Sequence, residues 1–578
     1  MIGVDYYPEH WDSDLKSLPQ MANDLIIMKE NSIELIRVGE FAWAVFEANE
    51  GEYDFTLLDK LFELTQKIGI KVILCTPSAT PPAWLIRKHP EILQQDDRGH
   101  DRGFGSRRHY CYNSQVYKDY VEKIVRLLAQ RYGQMENLYA WQIDNEFGCE
   151  DTTYCYCKKC DRAFQKYLEE KYERIEDLNR DWGCVFWSQS YNEFSQIETP
   201  KKTNATPNPH QILDFYRFST QSIRTFAQSQ IEIIKEQSCK PITHNFMTNF
   251  TEIDYKKIKD QYDFISFDNY HFGDEFKPWF SGMNFDLMWS LQRKPFTIME
   301  QQPGRVNWQE RNMYYSHKWM ERVSRLALSH GADNLVFFRY RAVPFGAEQY
   351  HNGILNYDGN PEKSKRLQVC KTLAGETPID RKEKARIGIY FDYEASWMHS
   401  INGVIRDFNY FDQIMQMYRP IFENGERVDF LFKDSDFQGY ELIIIPYAIN
   451  LPEYVLEKIG KTKSKVLITC MSSMKDQRGH IISDKPLGLS FRGINFEITD
   501  FGGIYSQEIE LPNGSVINSD MWFEEHENIT GECIGEYKNE NLKEASPIIC
   551  AEEHNTIYVG TVTDHKGWRQ IYKFFDIL

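Results

Sequence analysis

Several features are missing from this 578-residue sequence, and each absence excludes a class of protein. No apolar run approaches the ~20 residues that a membrane-spanning helix requires, so we expect no membrane partner. The first residues, IGVDYYPEHW, read as a strand and a polar loop rather than as a signal peptide. Positive charge is in deficit: 67 basic residues against 85 acidic residues give a net charge of −18, which argues against a nucleic-acid partner.

Other absences narrow the fold and the compartment. No Gly-rich phosphate loop follows the first predicted strand, which disfavours a doubly wound dinucleotide-binding sheet. Twelve cysteines without an export signal indicate reduced thiols or metal ligands rather than disulfides, and they predict a cytoplasmic protein. A chain of 578 residues is too long for one compact core, so we expect at least two domains.

Up to about residue 375, short β-branched or aromatic runs alternate with longer amphipathic segments. Eight runs read as strands: 2–6, 34–38, 71–76, 138–144, 241–246, 264–267, 296–299 and 335–338. Helical periodicity is found between them at 15–31, 56–69, 116–133 and 314–331. This alternation predicts an α/β fold, a (β/α)₈ TIM barrel over residues 1–378, with its largest insertion between the fourth and fifth strands.

A second domain is predicted beyond the charged stretch at 380–386. Near-continuous apolar strands recur at 387–391, 440–446 and 465–470, followed by a strand at 556–562 and a helix at 566–575. Such strands are typical of a parallel sheet covered on both faces. We therefore expect a smaller, Rossmann-like α/β domain over residues 384–578.

Two glutamates end predicted barrel strands, where the active sites of such barrels lie. Glu146 follows the fourth strand in WQIDNEFG, and Glu300 ends the seventh in FTIMEQQPG. A facing pair ~5–5.5 Å apart suits retaining glycoside hydrolysis, in which one carboxylate attacks the anomeric carbon and the other protonates the leaving oxygen. The alternative is that each is only a solvated strand-end carboxylate or a member of an ion pair.

Four cysteines form a separate pattern. Cys155, Cys157 and Cys160 make C-x-C-x-x-C, and Cys111 lies on the preceding loop. Four thiolates suit a structural zinc ion, because they leave no open coordination position for catalysis. The spacing alone is equally compatible with four free thiols.

Six ordered motifs resemble glycoside hydrolase family 42, the barrel β-galactosidases, over nearly the whole chain. They are VDYYPEHW (4–11), IRVGEFAW (36–43), TPSATPPAWL (76–85), GSRRHYCYNS (105–114), WQIDNEFG (141–148) and MEQQPGRVNW (299–308). The resemblance implies that Glu146 is the acid/base and Glu300 the nucleophile. It also implies structural zinc on the four cysteines, no organic cofactor, and a homotrimer joined by a trimerisation-type second domain. The small antiparallel β domain that usually follows in the family is expected to be absent.

The resemblance also implies the residues that bind the sugar. Arg37 and Arg107 lie at the non-reducing sugar, with Arg108 as the neighbouring alternative to Arg107, and Asn145 donates to the 2-hydroxyl group. Tyr270 steadies the nucleophile and Trp308 forms the platform under the ring. Glu348 and His351 hold the 4- and 6-hydroxyl groups, and Trp187 closes the pocket.

The implied function is release of terminal non-reducing β-D-galactose from small oligosaccharides by double displacement. One alternative keeps this mechanism but takes α-L-arabinopyranosides or β-D-fucosides. Another is a carbohydrate-binding protein without turnover, against which the presence of both glutamates argues. A zinc hydrolase is disfavoured because four cysteine ligands leave no site for an activated water.

Overall fold

The computed structural model describes residues 1–11, 18–273, 276–543 and 545–578. Contacts divide the chain into two compact units. The first comprises Met1–Glu173, Asn192–Thr203 and Arg217–Asp380; the second comprises Arg174–Tyr191, Asn204–Tyr216 and Arg381–Leu578. Two segments that the sequence analysis assigned to the barrel therefore cluster with the second unit. Within the described residues, no helix combines the length and the apolar character needed to cross a membrane.

The strands up to residue 380 belong to a nine-stranded sheet and a two-stranded hairpin. They are β1 (Ile2–Asp5), β2 (Leu35–Val38), β3 (Glu47–Asn49), β4 (Glu52–Tyr53), β5 (Lys71–Cys75), β6 (Leu138–Gln142), β7 (Ile242–Thr243), β8 (Asn245–Met247), β9 (Ser266–Asn269), β10 (Phe296–Gln301) and β11 (Ala332–Phe337). The sheet order is β7-β6-β5-β2-β1-β11-β10-β9-β8, and all of its pairings are parallel.

The sheet closes into a barrel through one interrupted strand. The predicted fifth strand is split at His244 into β7, which pairs with β6, and β8, which pairs with β9. The eight predicted strands are thus all present, and the TIM-barrel prediction is confirmed. A buried cluster of Leu35, Ile73, Ala140, Met299 and Val336, drawn from five different strands, fills part of the core.

Helices alternate with these strands: α1 (Pro19–Glu30), α2 (Trp43–Phe46), α3 (Thr56–Ile68), α4 (Ala83–Lys88), α5 (Gln115–Tyr132), α6 (Lys158–Tyr172), α7 (Ile175–Asp181), α8 (Pro209–Gln237), α9 (Tyr255–Ile258), α10 (Pro278–Gln292), α11 (His317–Ser329) and α12 (Lys365–Leu373). The four predicted helical segments correspond to α1, α3, α5 and α11; residues 15–17 of the first lie outside the described residues. The helix α3 ends at Gly69, whose φ of 79° is the left-handed conformation that favours glycine at a helix C-terminus.

The second unit contains the predicted parallel sheet. Besides α7, it contains the helices α13 (Tyr393–Asn402), α14 (Tyr410–Glu423), α15 (Glu453–Gly460) and α16 (His565–Phe574). Its strands are β12 (Ile387–Tyr390), β13 (Val428–Leu431), β14 (Leu442–Ile445), β15 (Lys465–Thr469), β16 (Gly488–Phe491), β17 (Ile494–Glu510), β18 (Val516–Thr530), β19 (Glu532–Ile534), β20 (Glu536–Tyr537), β21 (Ile548–Ala551), β22 (Thr556–Val559) and β23 (Val562–Thr563). The order β13-β12-β14-β15-β22 is parallel, and β21 and β19 continue it antiparallel.

A second sheet in this unit was not anticipated from the sequence. The strands β16, β17, β18 and β23 form an antiparallel sheet, and β20 pairs with β17. The long strands β17 and β18 bury few of their side chains, so they lack the continuous apolar runs by which the parallel strands were found.

Candidate active site

A cavity of about 400 Å³ opens where several barrel strands end, within the size range of small-molecule sites. Its lining combines carboxylates, one arginine, one histidine and several aromatic rings. The lining residues are Arg107, Glu146, Cys149, Glu150, Asp151, Met247, Thr248, Phe250, Glu252, Asp268, Tyr270, Phe272, Glu300, Trp308, Phe338, Glu348 and His351. All of them belong to the first unit.

Glu300, near the end of β10, is held by a buried arginine from β2. Arg37 Nη1 donates to Glu300 Oε1 at 2.7 Å and to Asp5 Oδ1 at 2.9 Å. The β1–β2 register pairs Asp5 with Arg37, so the arginine is oriented by its neighbouring strand. Arg37 is 0% exposed, and its Nη2 also donates to Asn145 Oδ1 at 2.6 Å. One guanidinium thus links three side chains at the barrel mouth.

Tyr270 completes the environment of Glu300. Its hydroxyl donates to Glu300 Oε2 at 2.6 Å, and burial keeps the phenol protonated by raising its pKa well above the usual value. Burial, assisted by the negative charge of Glu146, raises the pKa of Glu300 to about 7, although Arg37 and Tyr270 both act in the opposite direction. Glu300 is therefore an aligned carboxyl group that ionises near neutral pH.

Glu146 lies four residues beyond the end of β6, in a turn with two residues in the left-handed region. Asp144 has φ 53° and Glu146 has φ 45°, a conformation that side chains other than glycine adopt at an energetic cost. Hydrogen bonds hold the turn: the Asp144 carboxylate accepts from Ser78 at 2.5 Å and from Tyr110 at 2.6 Å. The Glu146 backbone N–H donates to Asn245 Oδ1 at 3.1 Å.

Two consecutive arginines face the Glu146 carboxylate. Arg108 Nη1 lies 3.2 Å from Glu146 Oε2, and Arg107 Nη2 lies 3.8 Å from the same oxygen. Burial acts to raise the pKa of Glu146, but the charges of Arg107 and Arg108, together with weaker contributions from Asp268 and Arg37, hold the pKa below its usual value. Glu146 is therefore the more acidic of the two glutamates, although an acid catalyst has to carry a proton.

The carboxyl groups of Glu146 and Glu300 meet across the cavity. One oxygen each of Glu146, Asp268 and Glu300 lie within 4.8 Å of one another. A carboxylate pair at this spacing suits attack on an anomeric carbon from one side and proton delivery from the other, as in retaining hydrolysis; inverting enzymes leave a wider gap of ~6.5–9.5 Å for a water.

Three further predicted sugar-binding residues line the same cavity. Trp308 is 45% exposed, and its ring packs edge-on against Tyr270 with centroids 5.4 Å apart. The Glu348 carboxylate lies 3.8 Å from Arg107 and 3.7 Å from Arg339. Burial and nearby guanidinium charges lower the pKa of His351 to about 3, so its imidazole is neutral and can both donate and accept a hydrogen bond.

The structure distinguishes Arg107 from Arg108, between which the sequence could not decide. Arg107 lines the cavity, whereas Arg108 is not among the lining residues, is 0% exposed, and donates to Glu146 and Glu150. Asn145 is fully buried, and its Nδ2 donates to Glu146 Oε2 at 3.3 Å. Trp187 is not among the lining residues; it lies in the second unit, 65% exposed, with its ring against Phe186.

Two central residues were not proposed from the sequence. Asp268 is the last but one residue of the sixth barrel strand, and its place near a strand exit was the signal available for it. Asn245, in the middle of the split fifth strand, gave no signal, yet its amide contacts four groups. Its Oδ1 accepts from the Glu146 N–H and from Gln142, and its Nδ2 donates to Asn145 and Asp268.

The four predicted cysteines cluster away from the carboxylates. Their sulfur atoms lie within 4.8 Å of one another, and all four side chains are buried. The Cys111 sulfur is 3.5 Å from that of Cys160 and 3.6 Å from that of Cys157. A tetrahedral zinc site with Zn–S bonds of about 2.3 Å has sulfur–sulfur edges of about 3.8 Å, so the cluster fits zinc in both donor type and size.

Comparison with known proteins identifies the family. Residues 5–376 match the family described as beta-galactosidase, glycoside hydrolase 42, and residues 385–576 match the beta-galactosidase trimerisation domain. The chain belongs to glycoside hydrolase family 42. A beta-galactosidase from Thermus thermophilus is 36% identical over 507 residues, which cover 84% of this chain and 78% of that protein.

Solved structures agree with this family 42 assignment. A beta-galactosidase from the psychrophilic Marinomonas ef1 superposes with a TM-score of 0.91 at 29% identity, over 100% of this chain and 91% of that one. A beta-galactosidase from Bacillus circulans sp. alkalophilus superposes with a TM-score of 0.92 at 25% identity, over 99% of this chain and 88% of that one. The family consists of retaining glycosidases, consistent with the spacing of Glu146 and Glu300.

The amide of Asn245 predicts a measurable stability cost. Replacing it by alanine in Asn245→Ala leaves the buried Glu146 N–H and Asp268 Oδ2 without this partner, and each orphaned buried group costs about 1–3 kcal/mol. We expect the free energy of unfolding, measured by urea titration of the whole protein, to fall by at least about 2 kcal/mol. The exposed control Asn49→Ala should change the free energy of unfolding by less than about 0.5 kcal/mol. Equal losses of stability in the two variants would contradict the stabilising role of the Asn245 amide.

Proposed function

We propose that this protein hydrolyses terminal non-reducing β-D-galactosides of small oligosaccharides with retention of anomeric configuration. The observation that carries the proposal is the approach of the Glu146 and Glu300 carboxyl oxygens to within 4.8 Å across one cavity. The identity of the sugar, galactose, is inferred from the curated relatives, which are named beta-galactosidase.

Glu300 is the proposed nucleophile. Its Oε1 is fixed by Arg37 and its Oε2 by Tyr270, so the carboxylate can be held facing the anomeric carbon. Both contacts stabilise the anion, which is the form that attacks. As the covalent glycosyl-enzyme forms, the negative charge on Glu300 disappears.

Glu146 is the proposed acid/base. It protonates the glycosidic oxygen as the bond to the aglycone breaks, and then takes a proton from the water that hydrolyses the intermediate. Loss of the Glu300 charge in the intermediate favours the ionised form of Glu146 needed in this second step. Arg108 and Asn145 both contact Glu146 Oε2 and fix its direction.

Galactose selectivity follows from buried polar groups around a flat aromatic face. We propose that Trp308 packs under the ring and that Asn145 donates to the 2-hydroxyl group. Glu348, set between Arg107 and Arg339, and the neutral His351 would bind the 4- and 6-hydroxyl groups. A sugar that leaves such groups unpaired is rejected, because a buried group without a partner is costly.

We further propose one structural zinc ion on Cys111, Cys155, Cys157 and Cys160. When bound, the ion would add four metal–thiolate bonds and no chemistry of the reaction. It would tie the loop after β5 to the loop after β6 that carries Glu146. A direct link already lies nearby, since Gln94 Nε2 donates to the Thr152 carbonyl oxygen at 2.9 Å.

We also propose that the protein is a cytoplasmic homotrimer. The match of residues 385–576 to a trimerisation domain supports a homotrimer. A cytoplasmic location is proposed because zinc-binding thiols must stay reduced, and all twelve cysteines are free thiols in this structure.

The roles of the two glutamates predict opposite rescue products. With nitrophenyl β-galactoside, Glu300→Ala should lose about 10³-fold or more in kcat, and Glu146→Ala about 10²–10⁴-fold. Azide should restore turnover of Glu146→Ala as β-galactosyl azide and of Glu300→Ala as the α anomer. Product anomers are read by NMR, and the swapped result would exchange the two roles.

The pKa of Glu300 predicts the acidic limb of the pH profile. A protonated carboxyl is not a nucleophile, so kcat/KM should fall as the pH drops through about 7. In Tyr270→Phe the anion loses a donor, its pKa rises, and the limb should move to higher pH. The variant Tyr314→Phe is the control, since the ring of Tyr314 is 77% exposed; a limb unmoved in Tyr270→Phe would contradict the assignment.

The cysteine cluster predicts a metal content of one zinc per chain. Elemental analysis should find this ratio in the native protein, and Cys155→Ser should lower both the zinc content and the melting temperature. The exposed Cys239→Ser serves as control and should keep both. Native protein that contains no zinc and melts unchanged after chelation would contradict the site.

A further inference from the structure

Asp268 brings a third carboxyl group into the active site. It lies on β9, where the sheet register pairs it with Glu300 on β10, and it is 1% exposed. One of its oxygens is within 4.8 Å of carboxylate oxygens of both glutamates. The two-glutamate mechanism gives this residue no task.

Only one of the two carboxylate oxygens of Asp268 accepts a hydrogen bond. Its Oδ2 accepts from Asn245 Nδ2 at 2.6 Å, whereas its Oδ1 is buried and receives no hydrogen bond. The other oxygens at the centre of the cluster belong to the two glutamates, and both oxygens of Glu300 already accept hydrogen bonds, from Arg37 and Tyr270. A proton on Oδ1 resolves this, because Asp268 then becomes a donor, and an oxygen of the Glu146 carboxylate lies within 4.8 Å of an Asp268 oxygen.

We propose that Asp268 is a positioning residue that holds the acid proton beside Glu146 and passes it to Glu146 when the glycosidic oxygen is bound. The inference rests on the proposed function and deepens it. Asn245 presents Asp268 for this role, because its amide also accepts from the Glu146 backbone and thereby fixes both partners of the transfer.

The surrounding charges support this location of the proton. Burial, and then the negative charges of Glu300 and Glu146, raise the pKa of Asp268 well above its usual value, while Arg37 and the Asn245 hydrogen bond act in the opposite direction. Arg107 and Arg108 lower the pKa of Glu146. The proton is therefore more stable on Asp268 than on Glu146.

The transfer balances without any further reactant. The Asp268 Oδ1–H bond breaks, its electron pair stays on Oδ1, and a Glu146 O–H bond forms. That bond then breaks as the proton passes to the glycosidic oxygen, the C–O bond to the aglycone breaks, and the Glu300–carbon bond forms. In the second half, water gives a proton to Glu146 and its hydroxyl group to the anomeric carbon, Glu300 is released, and the proton returns to Asp268.

The test is Asp268→Asn, assayed on two galactosides that differ in their need for a proton. Methyl β-galactoside requires protonation of its leaving oxygen, whereas dinitrophenyl β-galactoside does not. We expect kcat/KM to fall about 10²-fold or more on the methyl glycoside and less than about fivefold on the dinitrophenyl glycoside. The basic limb of the methyl-glycoside profile should move down by about one pH unit or more, because only the acidic Glu146 then holds the proton.

Controls separate this role from a structural one. Asp286→Asn removes another fully buried carboxylate of the same unit, outside the cavity, and should leave both the substrate ratio and the basic limb unchanged. Asp268→Glu restores a carboxyl group and should recover part of both. If Asp268→Asn does not fold, Asp268→Ser carries the same comparison.

The outcomes also separate the inference from the proposed function. Equal losses on the two glycosides with an unmoved basic limb would overturn the role of Asp268 while leaving the galactosidase intact. Absence of turnover by the wild-type protein on both glycosides would instead overturn the proposed function.

Discussion

The active site depends on the burial of one guanidinium among carboxylates at the mouth of the barrel. Arg37 is 0% exposed and bonds to Asp5, Glu300 and Asn145, with Glu40 3.7 Å away. Removing one partner of a buried ion pair costs about 3–5 kcal/mol, because the other charge is left uncompensated. The same bonds that make these carboxyls tolerable inside the protein also fix the direction of Glu300, so stability and alignment arise from one set of contacts.

Closure of the barrel and construction of the site occur at the same place in the chain. The fifth strand breaks at His244, a buried imidazole whose pKa burial lowers to about 3. The neutral ring bonds to the Ile143 carbonyl on one side and accepts from the Phe147 N–H on the other. The next residue, Asn245, bonds to Glu146 and Asp268. The irregularity in the strand therefore positions the amide that joins the fourth, fifth and sixth strands.

Much of this arrangement could be read from the sequence, and the remainder could not for physical reasons. Strand exits are visible as apolar runs that end in polar residues, and this signal placed Glu146 and Glu300 at one cavity. The parallel strands β12, β14, β15 and β22 could be predicted because each is a nearly continuous apolar run. The strands β17 and β18 escaped notice because they are mostly exposed and carry no apolar run. The role of Asn245 depends on four partners distributed over the chain, which no local pattern encodes.

The arginines around Glu146 create a conflict that the fold has to resolve. Arg107 lies near both Glu146 and Glu348, so a cation proposed to bind the sugar also makes the proposed acid catalyst more acidic. Greater burial of Glu146 would restore its proton, but Glu146 must stay accessible to the glycosidic oxygen. A neighbouring carboxyl whose pKa is raised by the negative charges of both glutamates can hold the proton without moving either arginine. Asp268, set between the two glutamates, satisfies this requirement, because the repulsion that makes three buried carboxyls costly is relieved by the one proton that the reaction needs.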